Sequence, residues 1–251
     1  MTEQIKILFL SSNPRNISRI RLDEELREVD ERIRLGDCRD QIALIPHFAV
    51  RPRDLQQGLL RHQPHVLHFS GHGSPTDGII LEDNNGQTKL VSADALADLF
   101  GIIKDNLRVV VLNACYSALQ AEGISQVVDC TIGMQKAIGD HSAIVFSAAF
   151  YEGLAYGRSV QESFGLGVTA LKMEGIPESS TPALLTRKGV DAAQVYLASP
   201  QPDKRRPAKE KTAQRLQGNQ NVRVEVRDNV MNAGNGIDIK GVENNYATKE
   251  L

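Results

Sequence analysis

The sequence of 251 residues contains little cysteine, little excess charge and no long apolar run. Its three cysteines, Cys38, Cys115 and Cys130, form an odd set without paired spacing, which argues against a disulfide framework and favours a reducing compartment. The formal net charge of −2 creates no global field that would favour nucleic acid or a membrane surface. No apolar run approaches the roughly 18–20 residues of a membrane span, and residues 1–6 lack the apolar core of a signal peptide. We therefore expect a cytoplasmic protein with no membrane anchor and no nucleic-acid partner.

Composition divides the chain into three parts. Hydrophobic residues make up 41% of the sequence, an ordinary share for a globular protein, and residues 1–198 are long enough for one sizeable α/β domain. Residues 199–217 are rich in proline and charge and are predicted to form a flexible linker. The basic cluster at 204–206 is short, so we interpret it as solvated linker rather than a patch for membrane or nucleic acid. Residues 218–251 form a separate tail.

Apolar runs of strand length alternate with segments of helical periodicity. Strands are predicted at 5–10, 42–46, 131–134 and 143–147, within 65–73 and 109–117, and as a hairpin at 78–91. Helices are predicted at 20–35, 51–61, 92–100, 119–128, 150–156 and 160–173. This alternation predicts an α/β fold with a parallel sheet and helices on both faces.

The 3.6-residue helical period assigns faces to the first two helices. In the first helix the apolar residues are expected to face inward, and these are Leu22, Leu26, Val29 and Ile33. The acidic residues of that helix are expected to face solvent, and these are Asp23, Glu24, Glu25 and Glu28. The second helix is expected to bury Leu55, Leu59 and Leu60.

Two stretches carry the strongest chemical signal. Residues 65–73 read His-Val-Leu-His-Phe-Ser-Gly-His-Gly, and residues 109–117 read Val-Val-Val-Leu-Asn-Ala-Cys-Tyr-Ser. Both are apolar runs that end in small and reactive residues, and in open α/β sheets the chemistry lies just outside the carboxyl ends of such strands. One stretch would bring His72 to that edge, and the other would bring Cys115. The pair predicts a cysteine nucleophile with a histidine partner.

The chemistry of a thiol explains why this pairing is informative. A cysteine attacks as the thiolate, which a cationic neighbour or a helix N-terminus stabilises, and Cys115 has both prospects. Gly71 and Gly73 carry no Cβ and leave room for a substrate backbone beside His72. The N–H groups of Gly73 and Cys115 are candidates for an oxyanion site. The alternative is that Cys115 is a small core residue and His72 a turn residue, but the Gly-His-Gly sequence favours catalysis.

These motifs resemble those of CHAT-domain proteases, caspase-like peptidases related to caspases, separases and metacaspases. The resemblance rests on Ser-Gly-His-Gly at 70–73 and Leu-Asn-Ala-Cys-Tyr-Ser at 112–117, with the histidine first. Cys115 follows His72 by 43 positions, which is close to the spacing of about 50 in caspases. The likeness extends over residues 5–187 and includes the blocks at 8–14, 49–52 and 132–140.

The resemblance implies a fold and a site. The fold class is α/β, a caspase-like three-layer α/β/α sandwich with a mainly parallel central sheet, followed by the flexible linker and a short C-terminal β-arch or hairpin. The implied activity is that of a Cys/His dyad endopeptidase without metal or cofactor, acting on protein substrates. Cys115 would be the nucleophile and His72 the general acid and base, and no third member is evident. We expect His68 to pack or hydrogen-bond inside the protein, and Cys38 and Cys130 to be structural.

Caspase-like enzymes place charged side chains in the pocket for the residue that precedes the cleaved bond. Asp140 and Asp129 are the candidates for this pocket, since both lie near predicted strand ends. An acidic pocket would select arginine or lysine. The alternative for Asp140 is that it caps the following helix, because aspartate is a preferred N-cap residue.

The tail at 218–251 resembles short bacterial amyloid signalling motifs that join defence effectors to nucleotide-binding sensor proteins. The resemblance rests on residues 219–222 and on Asn-Ala-Gly-Asn-Gly-Ile-Asp-Ile at 232–239. Unpaired β-arches with asparagine ladders gain stability by stacking on copies of themselves, which would make the tail a route to homo-oligomers. The alternatives are a hairpin docked on the catalytic domain and a disordered segment.

Two functional hypotheses follow. In the first, the chain is a cysteine endopeptidase effector of bacterial immunity or programmed cell death, activated by proximity when a nucleotide-binding sensor with a similar tail engages residues 218–251. In the second, it is a catalytically silent caspase-like scaffold that acts through protein contacts. The intact pair of His72 and Cys115 argues against the second hypothesis, because packing alone does not require it.

Overall fold

The computed structural model describes residues 4–75 and 78–199. Within them are eight strands, β1 (Ile5–Ser12), β2 (Ile42–His47), β3 (Val66–Ser74), β4 (Gly78–Glu82), β5 (Thr88–Val91), β6 (Val109–Asn113), β7 (Cys130–Met134) and β8 (Pro182–Thr186). The same residues form six α-helices, α1 (Leu22–Leu35), α2 (Pro52–His62), α3 (Ala93–Ile102), α4 (Ala118–Ile124), α5 (Asp140–Ala155) and α6 (Val160–Met173). The predicted tail and all of the predicted linker beyond Ser199 lie outside the described residues.

The central sheet has the strand order β2-β1-β3-β6-β7-β8. Its first five strands pair in parallel, and β8 joins the edge antiparallel to β7. The hairpin of β4 and β5 pairs with the end of β3. The helices between successive parallel strands act as crossovers, and this pattern confirms the predicted mainly parallel α/β sheet.

Helices cover the sheet on both faces, which makes three layers. Along β1, Ile7 and Phe9 belong to one buried cluster, whereas Leu8 and Leu10 belong to another, because side chains alternate along a strand. The first cluster packs under α1, α5 and α6, and the second packs under α2, α3 and α4. Each fully buried aliphatic or aromatic side chain contributes about 1.5–3 kcal/mol. The two apolar layers therefore hold the strand ends, on which the site is built, in a fixed register.

Two predicted elements differ from the structure. The apolar run at 143–147 predicts a strand, but these residues lie inside α5. That helix is buried on most of its surface between α1 and α6, so its apolar run shows no polar face, and a short run of this kind does not distinguish a buried helix from a strand. The predicted helix at 119–128 is shorter in the structure and ends at Ile124. The sequence pattern did not predict the strand β8.

Two side chains face the opposite way from the prediction. Leu60 was expected to be buried but is 57% exposed, because it lies outside the stripe formed by Leu55 and Leu59 on α2. Glu25 was expected to face solvent, yet it is only 3% exposed. Its position three residues after Leu22 and four before Val29 places it on the buried stripe of α1.

Among the described residues, no helix is both long and apolar enough to cross a membrane.

Candidate active site

The register of β3 and β6 brings His72 and Cys115 to one edge of the sheet. The two strands are adjacent and parallel, with Ser70 opposite Asn113. His72 and Cys115 follow these two residues at the same interval, at the carboxyl ends of their strands. Both side chains line one small pocket of about 40 Å³. The predicted pair is therefore brought together, and each member is partly accessible to solvent.

Gly73 is the contact between the two strand ends. A Cβ at this position would lie 2.1 Å from the carbonyl oxygen of Cys115, so only glycine fits there. Tyr116, which follows Cys115 in the turn after β6, has a φ of 58°, the left-handed conformation of a sharp turn. Ser117 holds this turn, because its hydroxyl donates to the carbonyl of Leu112 at 2.7 Å and accepts the N–H of Met134 at 3.0 Å. The cysteine thus lies in a short, tightly fixed loop.

The sulfur of Cys115 contacts the loop that follows β7. The N–H of Ile138 donates to Sγ at 3.4 Å, and Sγ lies 3.7 Å from the carbonyl oxygen of the same residue. The backbone of Tyr116 is bonded to the same loop, since its N–H donates to the carbonyl of Lys136 at 3.2 Å. These contacts orient the thiol at the mouth of the pocket.

The ring of His72 is oriented by a backbone carbonyl. Its Nε2 lies 2.8 Å from the carbonyl oxygen of Ser18. A carbonyl oxygen only accepts hydrogen bonds, so Nε2 carries the proton, and in the neutral ring Nδ1 is the free base. The sequence showed no third member of the site because a backbone oxygen leaves no mark on residue type.

Asp140 lies at the rim of the pocket. It is the first residue of α5, whose N-cap is Gly139, so it does not take the capping position proposed as its alternative role. Its Oδ2 accepts the N–H of Arg21 at 3.3 Å and lies 3.8 Å from Arg21 Nε. The two side chains are 33% and 50% exposed, so this ion pair is weak. The carboxylate therefore remains accessible from the pocket.

The structure does not bring Asp129 to this pocket. Asp129 precedes β7, whose first residue pairs with the first residue of β6, so it lies at the opposite edge of the sheet. Its carboxylate accepts hydrogen bonds from Arg108 and, at 2.7 Å, from Arg187. Burial raises the pKa of Asp129, but the bonds from Arg187 and Arg108 outweigh it and leave the pKa below its ordinary value of 3.8. The Asp129 carboxylate therefore belongs to an ion-pair cluster with Arg108 and Arg187.

The carboxylate of Glu25, which lines the pocket, is the feature that sequence reasoning missed. Its Oε1 accepts Asn113 Nδ2 at 2.6 Å and Ser147 Oγ at 2.7 Å, and it lies 3.1 Å from His68 Nε2. Its Oε2 accepts the hydroxyl of Ser70. Burial raises the pKa of Glu25, but the contacts with His68, Ser70 and Ser147 outweigh it, so the pKa lies below its ordinary value of 4.5. The buried carboxylate is therefore ionised, and both of its oxygens are in contact with polar side chains of the protein.

His68 is internal, as predicted. It is completely buried, its ring stacks on Phe9 with centroids 4.3 Å apart, and its Nδ1 lies 3.1 Å from the hydroxyl of Tyr151.

Cys38 and Cys130 are also buried, and burial raises the pKa of both thiols, that of Cys130 to about 12. The structure therefore places both cysteines inside the protein, away from the pocket of Cys115. In the part of the chain that the structure describes, no cluster of three or more His, Cys, Asp or Glu is arranged to hold a metal.

Sequence comparisons relate this chain to a defined family. The family model of the CHAT domain matches residues 9–166. A Roc-COR-CHAT protease of an unknown prokaryotic organism is 26% identical over 185 residues, which cover 70% of this chain and 17% of that protein. A "Probable protease" of Gillisia limnaea is 28% identical over 156 residues, which cover 60% of this chain and 27% of that protein. The chain thus spans about a quarter or less of the length of these curated relatives.

Two solved structures superpose on this chain. The Arg specific cysteine proteinase gingipain R superposes with a TM-score of 0.51 at 12% identity, covering 74% of this chain and 46% of that chain. The Drosophila initiator caspase Dronc superposes with a TM-score of 0.50 at 9% identity, covering 72% of this chain and 79% of that chain. At these identities the likeness concerns the fold alone, and it confirms the caspase-like α/β/α sandwich.

Proposed function

This chain belongs to the CHAT domain family, and on that premise we propose that it is a cysteine endopeptidase with a dyad of Cys115 and His72. The observation that carries the proposal is the shared pocket of these two residues at the carboxyl ends of adjacent strands, with Gly73 packed against the nucleophile's backbone. The two curated relatives named as proteases support the same class of reaction.

The proposed reaction uses the orientation of the His72 ring. Nδ1 takes the proton of the Cys115 thiol, and Sγ then forms a bond to the carbonyl carbon of the peptide. The N–H groups of Gly73 and Cys115 stabilise the oxyanion that develops on the carbonyl oxygen. The C–N bond breaks as His72 returns the proton to the leaving amine, and an activated water later hydrolyses the thioester. The bond from Nε2 to Ser18 keeps Nδ1 directed at these proton transfers.

The pocket favours a substrate side chain that is positive or rich in hydrogen-bond donors. Asp140 lies at the rim of this pocket. The buried Oδ1 of Asn113 has no hydrogen-bond partner within residues 4–75 and 78–199. Arg21 pairs with Asp140 only weakly at this exposure, so a substrate cation can displace it. We infer cleavage after arginine or lysine.

The biological role in the proposal is that of an effector in bacterial immunity or programmed cell death. The polar linker at 199–217 and the β-forming pattern of 218–251 support activation by proximity, through a nucleotide-binding sensor with a similar tail. Tethering catalytic domains to a common stack would raise their effective concentration. The curated relatives are several times longer than their matched segments, which also suits a protease domain controlled by attached segments.

Peptide hydrolysis by the full-length protein tests this proposal. The wild-type chain should cleave a mixed library of fluorogenic peptides, and Cys115→Ala should remove the activity. Cys38→Ala, which deletes another single thiol away from the pocket, should retain it. A folded wild-type protein that cleaves no peptide, even with its tail assembled into fibres, would instead support the silent scaffold.

A further inference from the structure

One carboxylate joins the two strands that carry His72 and Cys115. Ser70 and Asn113 lie opposite each other in the register of β3 and β6, and each precedes one reacting residue by two positions. The hydroxyl of Ser70 donates to one oxygen of Glu25, and the amide of Asn113 donates to the other. Glu25 therefore binds a donor from each strand directly beneath the dyad.

The remaining donors come from the same face of the sheet and from α5. Ser147 donates to Glu25 at 2.7 Å, and His68 Nε2 lies 3.1 Å from the same oxygen. Burial raises the pKa of Tyr151, so its hydroxyl stays protonated and can donate to Nδ1 of His68. This arrangement leaves the ring proton on Nε2, where it faces the carboxylate. Ser70, Asn113 and Ser147 thus all donate to Glu25, and His68 Nε2 lies next to the same carboxylate.

Helix packing alone does not explain a charge at this position. Glu25 lies on the apolar stripe of α1, where an aliphatic side chain would pack well. Burying a carboxylate is costly, and a well-packed apolar replacement is often as stable as a buried polar network. What the carboxylate adds is a directional link between the two strand ends.

We propose that Glu25 is a positioning residue that sets the distance between His72 and Cys115 by holding Ser70 and Asn113. The inference rests on the proposed dyad. Glu25 lines the pocket but bonds neither the sulfur nor the ring of His72 in the described contacts. Its loss should let the two strand ends shift, which lowers kcat and leaves KM nearly unchanged.

The test compares four variants of the full-length chain. Glu25→Gln keeps the shape of the side chain but turns one acceptor into a donor that faces other donors. Ser70→Ala is the second variant, because it removes a single bond to Glu25 and leaves the carboxylate in place. Glu31→Gln is the matched control, since Glu31 is exposed on the same helix. His72→Ala supplies the reference for a cysteine without its partner.

Two measurements are made on each folded variant. The first is peptide hydrolysis, where Glu25→Gln should lower kcat by about 10- to 100-fold with KM within about twofold, because small misplacements of reacting groups cost rate. The second is the pH profile of iodoacetamide alkylation at Cys115, followed by peptide mass spectrometry. Glu25→Gln should move this profile toward that of His72→Ala, and Ser70→Ala should move it less. Glu31→Gln should match the wild type in both measurements.

The outcomes separate the two proposals. If His72→Ala leaves the alkylation profile of the wild type unchanged, the dyad itself is wrong. If His72→Ala changes the profile but folded Glu25→Gln and Ser70→Ala do not, the positioning role is overturned while the dyad stands. A thermal melt identifies any variant that fails to fold, and Ser70→Ala then decides the question.

Discussion

Two carboxylates with lowered pKa values lie at opposite edges of the sheet, and their surroundings differ. Glu25 is almost fully buried and accepts its hydrogen bonds from hydroxyl and amide groups, with the His68 imidazole 3.1 Å away. Asp129 is held by the guanidinium groups of Arg108 and Arg187, which are each more than 40% exposed. Glu25 joins the carboxyl ends of β3 and β6, whereas Asp129 joins the segments beside β6, β7 and β8.

The comparison of the Glu25 and Asp129 clusters indicates which property distinguishes the proposed site on this fold. A lowered pKa and a good set of partners are common to both clusters, so neither property marks function by itself. The position of a cluster in the fold is more informative, because parallel strands end together at one edge of the sheet. The residues that follow these strands are therefore close in space. The edge of Glu25 carries His72 and Cys115, and the edge of Asp129 carries a structural clamp.

The largest expected effect is a loss of activity in variants at the edge that carries His72 and Cys115, with no such loss at the edge that carries Asp129. Cys115→Ala and His72→Ala should each lower kcat at least about 10³–10⁴-fold, because each removes a member of the reacting pair. The double variant should be no worse than either single variant, since the two residues act as a unit. Asp129→Asn should leave kcat within about twofold of the wild type. Steady-state kinetics on one peptide would measure all four, and residual activity above about a thousandth in Cys115→Ala would refute the assignment.

The next effect concerns the contact between the strand ends. Gly73→Ala places a methyl group against the carbonyl of Cys115, so the strands must move apart. We expect an activity loss of about 100-fold and a decrease of about 1–3 kcal/mol in the free energy of unfolding. Gly165→Ala is the control, because nothing lies within 4 Å of its added Cβ in α6. Wild-type activity in Gly73→Ala would contradict the close packing of the two ends.

A smaller effect distinguishes the two aspartates proposed from the sequence. Asp140→Asn should lower kcat/KM for peptides cleaved after arginine or lysine by about 10- to 100-fold, the value of a charge-assisted hydrogen bond. Asp129→Asn should not change the preference, because it lies at the far edge. A peptide-library profile of both variants measures this. Cleavage by the wild type after apolar or acidic residues would show that Asp140 does not select the residue before the cleaved bond.

The smallest effect is a difference in acid stability. Because the pKa of Glu25 is below 4.5 in the folded protein, its contribution to stability is fully present above that pH and is lost as the pH falls through the folded value. Glu25→Gln should therefore be about 1–3 kcal/mol less stable than the wild type at pH 7, and the gap should narrow below pH 4.5. Urea unfolding between pH 7 and pH 3 measures the gap, and a gap independent of pH would contradict an ionised Glu25.

Much of the fold, and the placement of His72 and Cys115 in one pocket, could be predicted because both depend on local patterns. Strand-length apolar runs that end in Gly-His-Gly and Ala-Cys are enough to place His72 and Cys115 at the carboxyl ends of buried strands. The strand β8 was missed because it is a short edge strand with little alternation in burial. Residues 143–147 were misassigned because a helix buried on most sides has no polar face to reveal its period.

The rest of the site depends on groups that residue type does not report. Ser18 acts through its backbone carbonyl, which any residue could supply. Glu25 was assigned to solvent from its charge, although its spacing from Leu22 and Val29 places it on the buried stripe. A charged residue on an apolar stripe is therefore a signal that could have found it. Its partners Ser70, Ser147 and Asn113 come from three separate elements, and only the fold brings them together.

The most direct measurement of the proposed dyad is a crystal structure of the full-length protein bound to a peptide aldehyde that ends in arginine. We expect a covalent bond from Cys115 Sγ to the aldehyde carbon, with the resulting oxygen about 3 Å from the N–H groups of Gly73 and Cys115. The arginine side chain should lie against Asp140, and His72 Nε2 should remain on the carbonyl of Ser18. An adduct on another residue, or an oxyanion directed away from Gly73, would contradict the proposed site.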